Sequence, residues 1–590
     1  MPRWSRGTAP TLAAAAAVAA AVLLGVALRA ADPLGNPVLA AEDPYTHLIL
    51  VREHLADGRL DPLHDGGTLY PPGLHGVLAA FAVLGGADLY PLMQFGPVLF
   101  GAIAMLGTAA VLGRYEGIVA AFVGVLAVAV MPEHIARTTL MAPTALDLAL
   151  LPLLVWSLLE VLQGRLAWLA AAAPVSLFLV LAHPWVLAIV AGGGFAALVL
   201  YVLFPWHAAR HARPTLRGTS AAMALVAASL GLAAASRWRA SGTGFAELGE
   251  PVLGTMTIVV IAVPLLLAFA AAHGLWRRAR NLGHDAPVPI TGPRSTDVQL
   301  VGAALLAVGL AVTAWLATQG GLPKGVDPAV FLGVPILGIA VLGLLALPRI
   351  GSPVVHAAAG LFFATLPLVV FNPLGNPLWP ERSVVFLGFA AVLVVGAATA
   401  RFAEGAGALM ELRARSRAAR KPTKGTARRA IAPGAVAALF VVASTGAALV
   451  AATPGPLHGG WYRYYDACEF AALKAVGEEA NAADGSLVVA GSWEAGLVVS
   501  TFATREKDVW FKSDVFQSEA EASDFTAWRS GEPGPTFVVL ERYLPKESPH
   551  SDLGFLHRAP YQLDHTSCAG DPPPAAEVSV YVIRPGGRSA

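Results

Sequence analysis

The stretch MQFGPVLFGAIAMLGTAAVLG at residues 93–113 contains no charged side chain and is long enough to cross a lipid bilayer as a helix. Similar stretches recur along the 590-residue chain, in which 56% of the residues are hydrophobic and 13% are charged. Soluble domains are about 25% charged. The sequence therefore predicts a polytopic α-helical membrane protein, and its formal net charge of +1 argues against a nucleic-acid partner.

The apolar runs predict about thirteen membrane spans. They lie near residues 9–28, 93–113, 116–131, 144–163, 166–181, 184–204, 219–236, 252–275, 298–317, 329–347, 352–371, 383–400 and 430–452. With the N-terminus inside, the inner loops hold 21 Lys and Arg residues and the outer loops before residue 453 hold 8. Because basic loops stay in the cytoplasm, we expect a multi-pass plasma-membrane protein whose C-terminal region is extracytoplasmic.

The composition changes after residue 452, which divides the chain into two predicted domains. Residues 1–452 would form the transmembrane domain, with a long first outer loop at 32–92, and residues 453–590 a soluble α/β domain. Apolar β-type runs occur at 487–489, 537–540 and 578–583, among helix-like stretches such as 468–481 and 517–529. Cys468 and Cys568 would form a disulfide in an oxidising exterior, and two buried thiols are the alternative.

Two outer loops contain most of the sequence signals for chemistry. The first has EDPYTH at 42–47, LYPPG at 69–73 and an apolar stretch at 74–86 that is too short to cross, so we expect it to lie at the membrane interface. The second has PEHIARTT at 132–139, followed by Asp147 at the start of the next apolar run. Ionisable side chains at the membrane edge favour an enzyme that acts on a lipid-borne substrate.

Asp43 and Asp147 would meet at the outer membrane surface if the first spans pack together. Paired carboxylates suit a hard divalent ion such as Mg²⁺ or Mn²⁺, which would neutralise the phosphate that leaves a lipid-linked donor. His47 is a further candidate metal ligand. The simpler alternatives are an Asp-Pro turn at Asp43 and a helix-dipole role for Asp147.

The order of these elements resembles the catalytic subunit of oligosaccharyltransferase, of the archaeal and bacterial single-subunit type, within the GT-C superfamily of membrane glycosyltransferases. The resemblance rests on DPYTH at 43–47, YPPG at 70–73 and the loop from Pro132 through Arg137 and Thr138 to Asp147. It implies catalytic and metal-binding roles for the two acids. It also implies that Arg382, and Arg137 with it, binds the donor phosphate through the bidentate geometry that arginine offers.

The sequence departs from this family where the acceptor would bind. Ala145 and Leu146 stand next to Asp147 where a second carboxylate is usual, and the Trp-Trp-Asp motif is reduced to SWEAG at 492–496. The acceptor-binding candidates are therefore Trp493, Glu494, Glu247 and Asp327. The simpler alternative is that they are core or solvated-loop residues.

The resemblance implies transfer of a sugar or oligosaccharide from a polyprenyl phosphate or diphosphate to an acceptor, with protein Asn as the first choice. Transfer to a hydroxyl of a protein, lipid or cell-wall glycan is the alternative within the same class. A non-catalytic homologue or a lipid-glycan flippase is the alternative from another class, although a flippase would need polar broken helices at mid-membrane depth.

Overall fold

The computed structural model describes the chain in separate stretches. These are residues 8–39, 43–57, 73–182, 184–203, 213–240, 270, 272–282, 336, 340, 343–344, 352–370, 384–401, 467–483, 486–490, 493–503, 509–511, 534–543, 562–566 and 576–583. Contacts divide the chain into unit 1 (Met1–Ala30, Leu60–Val77, Gly96–Pro454) and unit 2 (Ala31–Arg59, Leu78–Phe95, Gly455–Ala590). Parts of the predicted first outer loop therefore belong with the C-terminal region.

The helices follow most of the apolar runs that the structure describes. They are α1 (Thr8–Gly35), α2 (Asp43–Asp57), α3 (Gly73–Gly85), α4 (Leu89–Tyr115), α5 (Ile118–Val130), α6 (Pro132–Arg137), α7 (Pro143–Leu162), α8 (Leu169–Ala182), α9 (Pro184–Leu203), α10 (Leu216–Ala240), α11 (Pro353–Val370), α12 (Val384–Arg401), α13 (Ala467–Ala482) and α14 (Trp493–Phe502). Among the described residues, α1, α4, α7 and α12 are long and apolar enough to cross a membrane. The predicted spans at 298–317 and 430–452 lie outside the described residues, as do most of 252–275 and 329–347.

The core of unit 1 consists of apolar helices in close contact. Residues 384–400 of α12 are buried throughout, as expected for a helix that is hydrophobic on every side. Helices α9 and α11 approach closely because both have glycine at the crossing: a Cβ at Gly360 would collide with the carbonyl oxygen of Gly193. Small residues at such crossings are typical of membrane helix pairs.

Two buried carboxylates hold helix ends together in unit 1. Glu160 of α7 accepts hydrogen bonds from Arg114 of α4, at 3.0 Å, and from Arg165. Glu116 pairs with Arg401 at the end of α12, at 2.7 Å, and accepts a hydrogen bond from Ser352. All three arginines lie in segments that the sequence predicts to be cytoplasmic.

Unit 2 contains a five-stranded mixed sheet. Its strands are β1 (Leu487–Ala490), β2 (Val509–Phe511), β3 (Thr536–Tyr543), β4 (Gln562–Thr566) and β5 (Ala576–Ile583), in the order β2-β1-β3-β5-β4. Strand β1 is parallel to β2 and β3, whereas β5 is antiparallel to β3 and β4. Helix α14 connects the parallel strands β1 and β2, as a parallel connection requires. The three β-type runs predicted from the sequence are β1, β3 and β5.

Candidate functional site

The acidic motif of the first loop lies at the N-terminus of α2. Asp43 is in the first turn of this helix and half-buried, where the helix dipole favours a negative charge. The buried Tyr45 accepts a hydrogen bond through its hydroxyl from the backbone N–H of Leu39, at 3.2 Å. His47 lies one turn after Asp43, on the same face of the helix, and is fully buried. Asp43 and His47 are therefore held by a packed helix.

Helix α2 packs against the C-terminal region of the chain. Arg52 donates a hydrogen bond to the backbone carbonyl of Thr501, near the end of α14. Both helices belong to unit 2. The same helix that begins with Asp43 thus supports the segment that begins with Trp493 and Glu494.

A fully buried arginine in unit 1 holds the second loop. Arg29 of α1 donates to Thr138 Oγ1 at 2.6 Å and to the carbonyl oxygens of Val128 and Ala129 at 3.0 and 3.3 Å. The last four carbonyls of a helix have no donor within the helix, so Arg29 caps the C-terminus of α5. A cation at this end is also favoured by the helix dipole.

The same guanidinium determines the protonation of His134. Its Nη2 lies 3.0 Å from the His134 Nδ1. A guanidinium has no acceptor, so Nδ1 accepts this bond and a neutral His134 bears its proton on Nε2. Burial, and then the charge of Arg29, lower the pKa of His134 well below its usual value. The corner between α5 and α6 is therefore built around an uncharged imidazole.

Gly101 of α4 provides the space for this arginine. A Cβ at this position would lie 2.6 Å from Arg29 Cδ and 2.7 Å from Arg29 Nε. Arg29 directly follows the predicted first span at 9–28, and α1 continues through it to Gly35, so that its side chain is buried. The sequence signal for this contact was an arginine directly after an Ala-rich apolar run. Its partner is the polar loop at 132–139, about a hundred residues later.

Arg137, a predicted phosphate-binding residue, pairs with Glu133 one turn earlier in α6. Arg137 Nε lies 2.7 Å from Glu133 Oε1, and both side chains are nearly buried. The pair fixes the guanidinium on the loop that leads into α7. Glu133 is a positioning partner that the sequence analysis did not single out.

Asp147 lies in the second turn of α7, after a start at Pro143, and is fully buried. Charged side chains are seldom fully buried unless they are paired or bind a metal. Its surroundings belong to unit 1, whereas Asp43 and His47 belong to unit 2. The convergence of the two acids stays a prediction.

The side chains of the remaining predicted site residues are not among those that the structure describes. Arg382, Glu247 and Asp327 are outside the described residues, as is Cys568. Trp493 and Glu494 begin α14, with only their backbone described, and the same holds for Cys468 in α13. Their proposed roles and the disulfide therefore stay predictions.

Solved structures with the same arrangement of helices are glycosyltransferases. This chain is similar to the archaeal oligosaccharyltransferase AglB from Archaeoglobus fulgidus in complex with an inhibitory peptide and a dolichol-phosphate. The match has 13% sequence identity and a TM-score of 0.55, and it covers 90% of this chain and 70% of that one. The chain therefore shares the fold of this oligosaccharyltransferase. No family model matches the chain, and no curated protein matches it by sequence.

Two further GT-C structures are similar. The same archaeal enzyme in complex with Zn and sulfate matches at 15% identity and a TM-score of 0.52, over 88% of this chain and 67% of that one. ArnT from Cupriavidus metallidurans bound to undecaprenyl phosphate matches at 12% identity and a TM-score of 0.47, over 97% and 98% of the two chains. In this chain, the two loops that resemble GT-C motifs lead into α2 and α7.

Proposed function

We propose that the chain transfers a sugar or oligosaccharide from a polyprenyl phosphate or diphosphate donor to an acceptor on the outer face of the membrane. The observation that carries the proposal is the GT-C fold over 90% of the chain, combined with an Asp-Pro-Tyr segment that opens α2. In this proposal the chain has about thirteen spans, and residues 453–590 form an extracytoplasmic α/β domain. The preferred acceptor is the side-chain amide of a protein Asn.

Asp43 and Asp147 are the proposed metal ligands, with His47 as a third candidate. Carboxylate oxygens fit Mn²⁺ or Mg²⁺, and Asp147 is fully buried. The described residues contain no group of three or more His, Cys, Asp or Glu side chains suited to a metal. In this proposal the donor phosphate and water would complete the coordination sphere. The bound ion would supply Lewis-acid stabilisation of the departing phosphate.

Arg382 and Arg137 are the proposed phosphate-binding residues. The Arg137–Glu133 pair restricts the guanidinium of Arg137 before any substrate arrives, which lowers the entropic cost of binding. Arg29 acts through its neighbours, because it fixes the helix corner that begins the Arg137 loop.

The proposed reaction is a displacement with inversion at the anomeric carbon. The acceptor nitrogen forms the new bond from one side while the bond to the phosphate oxygen breaks on the other, and the phosphate retains the electron pair. Because an amide nitrogen is a poor nucleophile, a carboxylate must polarise its N–H groups and accept the proton that the nitrogen loses. Asp43 is the first candidate, and Glu247, Asp327, Trp493 and Glu494 are the proposed acceptor-binding residues.

A hydroxyl acceptor is the second candidate. Ala145 and Leu146 stand where the resemblance leads us to expect a second carboxylate, and a hydroxyl needs only one general base. Asp43 would then accept the hydroxyl proton.

The test is sugar transfer by the full chain in liposomes, with a radiolabelled lipid-linked donor, Mn²⁺, and peptide or hydroxyl acceptors. We expect Asp43→Asn and Asp147→Asn each to abolish transfer. The matched control is Glu53→Gln, which removes an exposed acid on the same helix as Asp43. Transfer that survives both Asp substitutions would contradict the proposed metal site.

A further inference from the structure

A cavity of about 500 Å³ lies within unit 2, and neither predicted metal ligand lines it. Its walls are the end of α1 with the turn that follows, the start of α4, and the facing parts of α13 and α14. This volume falls in the range of ordinary small-molecule sites.

One side of the cavity is aromatic. Tyr90, Phe470 and Phe502 contact one another in a triangle, with ring centroids 6.0, 5.6 and 5.5 Å apart. Aromatic rings bind the C–H faces of other molecules and contribute a large contact area. This cluster can therefore bind one face of a flat, partly apolar ring.

Two charged side chains of opposite sign line the cavity next to the aromatic cluster. Lys474 Nζ lies 5.5 Å from the centroid of the Phe502 ring, and its side chain is 45% exposed. Asp88 is exposed at the start of α4, where its carboxylate accepts a hydrogen bond from the backbone N–H of Tyr90 at 3.1 Å. A donor and an acceptor next to an aromatic cluster suit a ligand with hydroxyl groups, and their opposite charges do not favour an ionic one.

Hydrogen bonds hold the wall in place. Gln94 Nε2 donates to the carbonyl oxygens of Pro33 and Asn36 at 2.8 and 2.9 Å, and the Tyr90 hydroxyl donates to that of Pro37 at 2.7 Å. A wall that is fixed before binding loses little entropy when a ligand enters. The Tyr90 hydroxyl also interacts with Tyr45, two residues after Asp43, so the cavity adjoins the N-terminus of α2.

We infer that this cavity binds a short neutral oligosaccharide. A pyranose ring has an apolar C–H face and a rim of hydroxyl groups, which match the aromatic cluster and the charged side chains beside it. The choice of a glycan, and not another polyol, rests on the proposed function, and the cavity would hold sugar units beyond the one at the reacting carbon.

Gly35 provides a direct way to fill the cavity. It lines the space, and a Cβ added there meets no atom within 4 Å. Gly85, at the end of α3, has equally open surroundings and does not line the cavity. Gly35→Phe is therefore the blocking variant, and Gly85→Phe is its matched control. Lys474→Gln is a second variant at a half-exposed position, with Glu479→Gln on the same helix as its control.

The experiment measures binding of a fluorescently tagged oligosaccharide pool to the full chain in lipid nanodiscs. The pool is released by mild acid from the lipid-linked fraction of the cells that contain this protein. We expect saturable binding by the unchanged chain and by both controls. Gly35→Phe should weaken it at least about ten-fold, which corresponds to about 1.4 kcal/mol, and Lys474→Gln should weaken it by less.

Sugar transfer is measured on the same preparations, so that failure of this inference can be distinguished from failure of the proposed function. Glycan binding that Gly35→Phe abolishes supports the inference even in a preparation that transfers no sugar. Wild-type binding by Gly35→Phe, or no saturable binding by the unchanged chain, overturns it even where transfer is intact. Displacement of the bound pool by soluble glycerophosphate would assign the cavity to a lipid headgroup and also overturn it.

Discussion

Arg29 Nε donates a 2.6 Å hydrogen bond to Thr138 Oγ1, which joins the first membrane helix to a loop 109 residues later. The same side chain caps the last turn of α5 through the carbonyl oxygens of Val128 and Ala129. The loop with Arg137 and the start of α7 are therefore positioned by a residue outside the proposed catalytic groups.

Replacement of Arg29 by Met should destabilise the chain. The substitution leaves two helix-end carbonyls without this donor, and each buried unsatisfied group costs about 1–3 kcal/mol. We expect the free energy of unfolding, measured in detergent by denaturant titration, to fall by at least about 2 kcal/mol. Leu23→Ala is the control, because Leu23 is on the same helix and 68% exposed. Equal stability of Arg29→Met and the control would remove the capping role.

The pH dependence of stability should report the neutral state of His134. Its pKa is lowered in the folded chain, so at moderately acidic pH the unfolded chain binds more protons than the folded one. The contribution of His134 to the free energy of unfolding is then fully present above about pH 6.5, and it is lost as the pH falls below that value. The protection of the amides at 128–138 against hydrogen exchange, corrected for the intrinsic pH dependence of the exchange rate, should decrease over this interval.

His134→Asn is the matched variant for this titration. Its side-chain oxygen can accept the Arg29 hydrogen bond in place of Nδ1, yet it does not titrate. We expect the corrected protection at 128–138 to be less pH-dependent in this variant than in the unchanged chain. An identical pH profile in both would assign the acid sensitivity to other groups.

The crossing of α9 and α11 should not tolerate a side chain at Gly360. Gly360→Val places methyl groups where the Gly193 carbonyl lies, and overpacking of this kind costs about 1–3 kcal/mol or more. Gly194→Ala is the control, because its Cβ would have only an ordinary contact, 3.9 Å from Met223. Thermal unfolding in detergent should show a clearly lower midpoint for Gly360→Val alone. Equal midpoints would mean that the helices are not in close contact there.

Arg137 and Glu133 should behave as one functional unit. If Glu133 orients the guanidinium for phosphate, Arg137→Gln and Glu133→Gln will each raise the KM for the lipid-linked donor. The double variant should then be little worse than Arg137→Gln, with a coupling energy of about 1 kcal/mol. Additive losses in the double-mutant cycle would show that the two side chains act separately.

The sequence predicts the helices best where one uninterrupted apolar run corresponds to one helix. The runs at 93–113 and 144–163 fall within or closely match α4 and α7, and the short apolar stretch at 74–86 is α3. Helices α8 and α9 likewise correspond to the predicted spans at 166–181 and 184–204. Apolar length is a local property, so it can be recognised without knowledge of the partners.

Long-range contacts could not be predicted in this way. The bond from Arg52 to the Thr501 carbonyl joins residues 449 positions apart, and nothing near Arg52 indicates it. Arg29 was missed for the same reason: an arginine at the end of an apolar run usually anchors the span at the lipid headgroups. Its burial depends on Gly101 and on the carbonyls of α5, which the chain brings together only on folding.

The central claim is that Asp43 and Asp147 bind one divalent ion together. The most direct test is a Mn²⁺ titration of the full chain in nanodiscs, followed by electron paramagnetic resonance, with Glu53→Gln as the control. The account predicts that Asp43→Asn and Asp147→Asn each weaken Mn²⁺ binding at least about ten-fold, while the control binds as the unchanged chain does. Binding of Mn²⁺ at unchanged affinity by either Asp variant would contradict it.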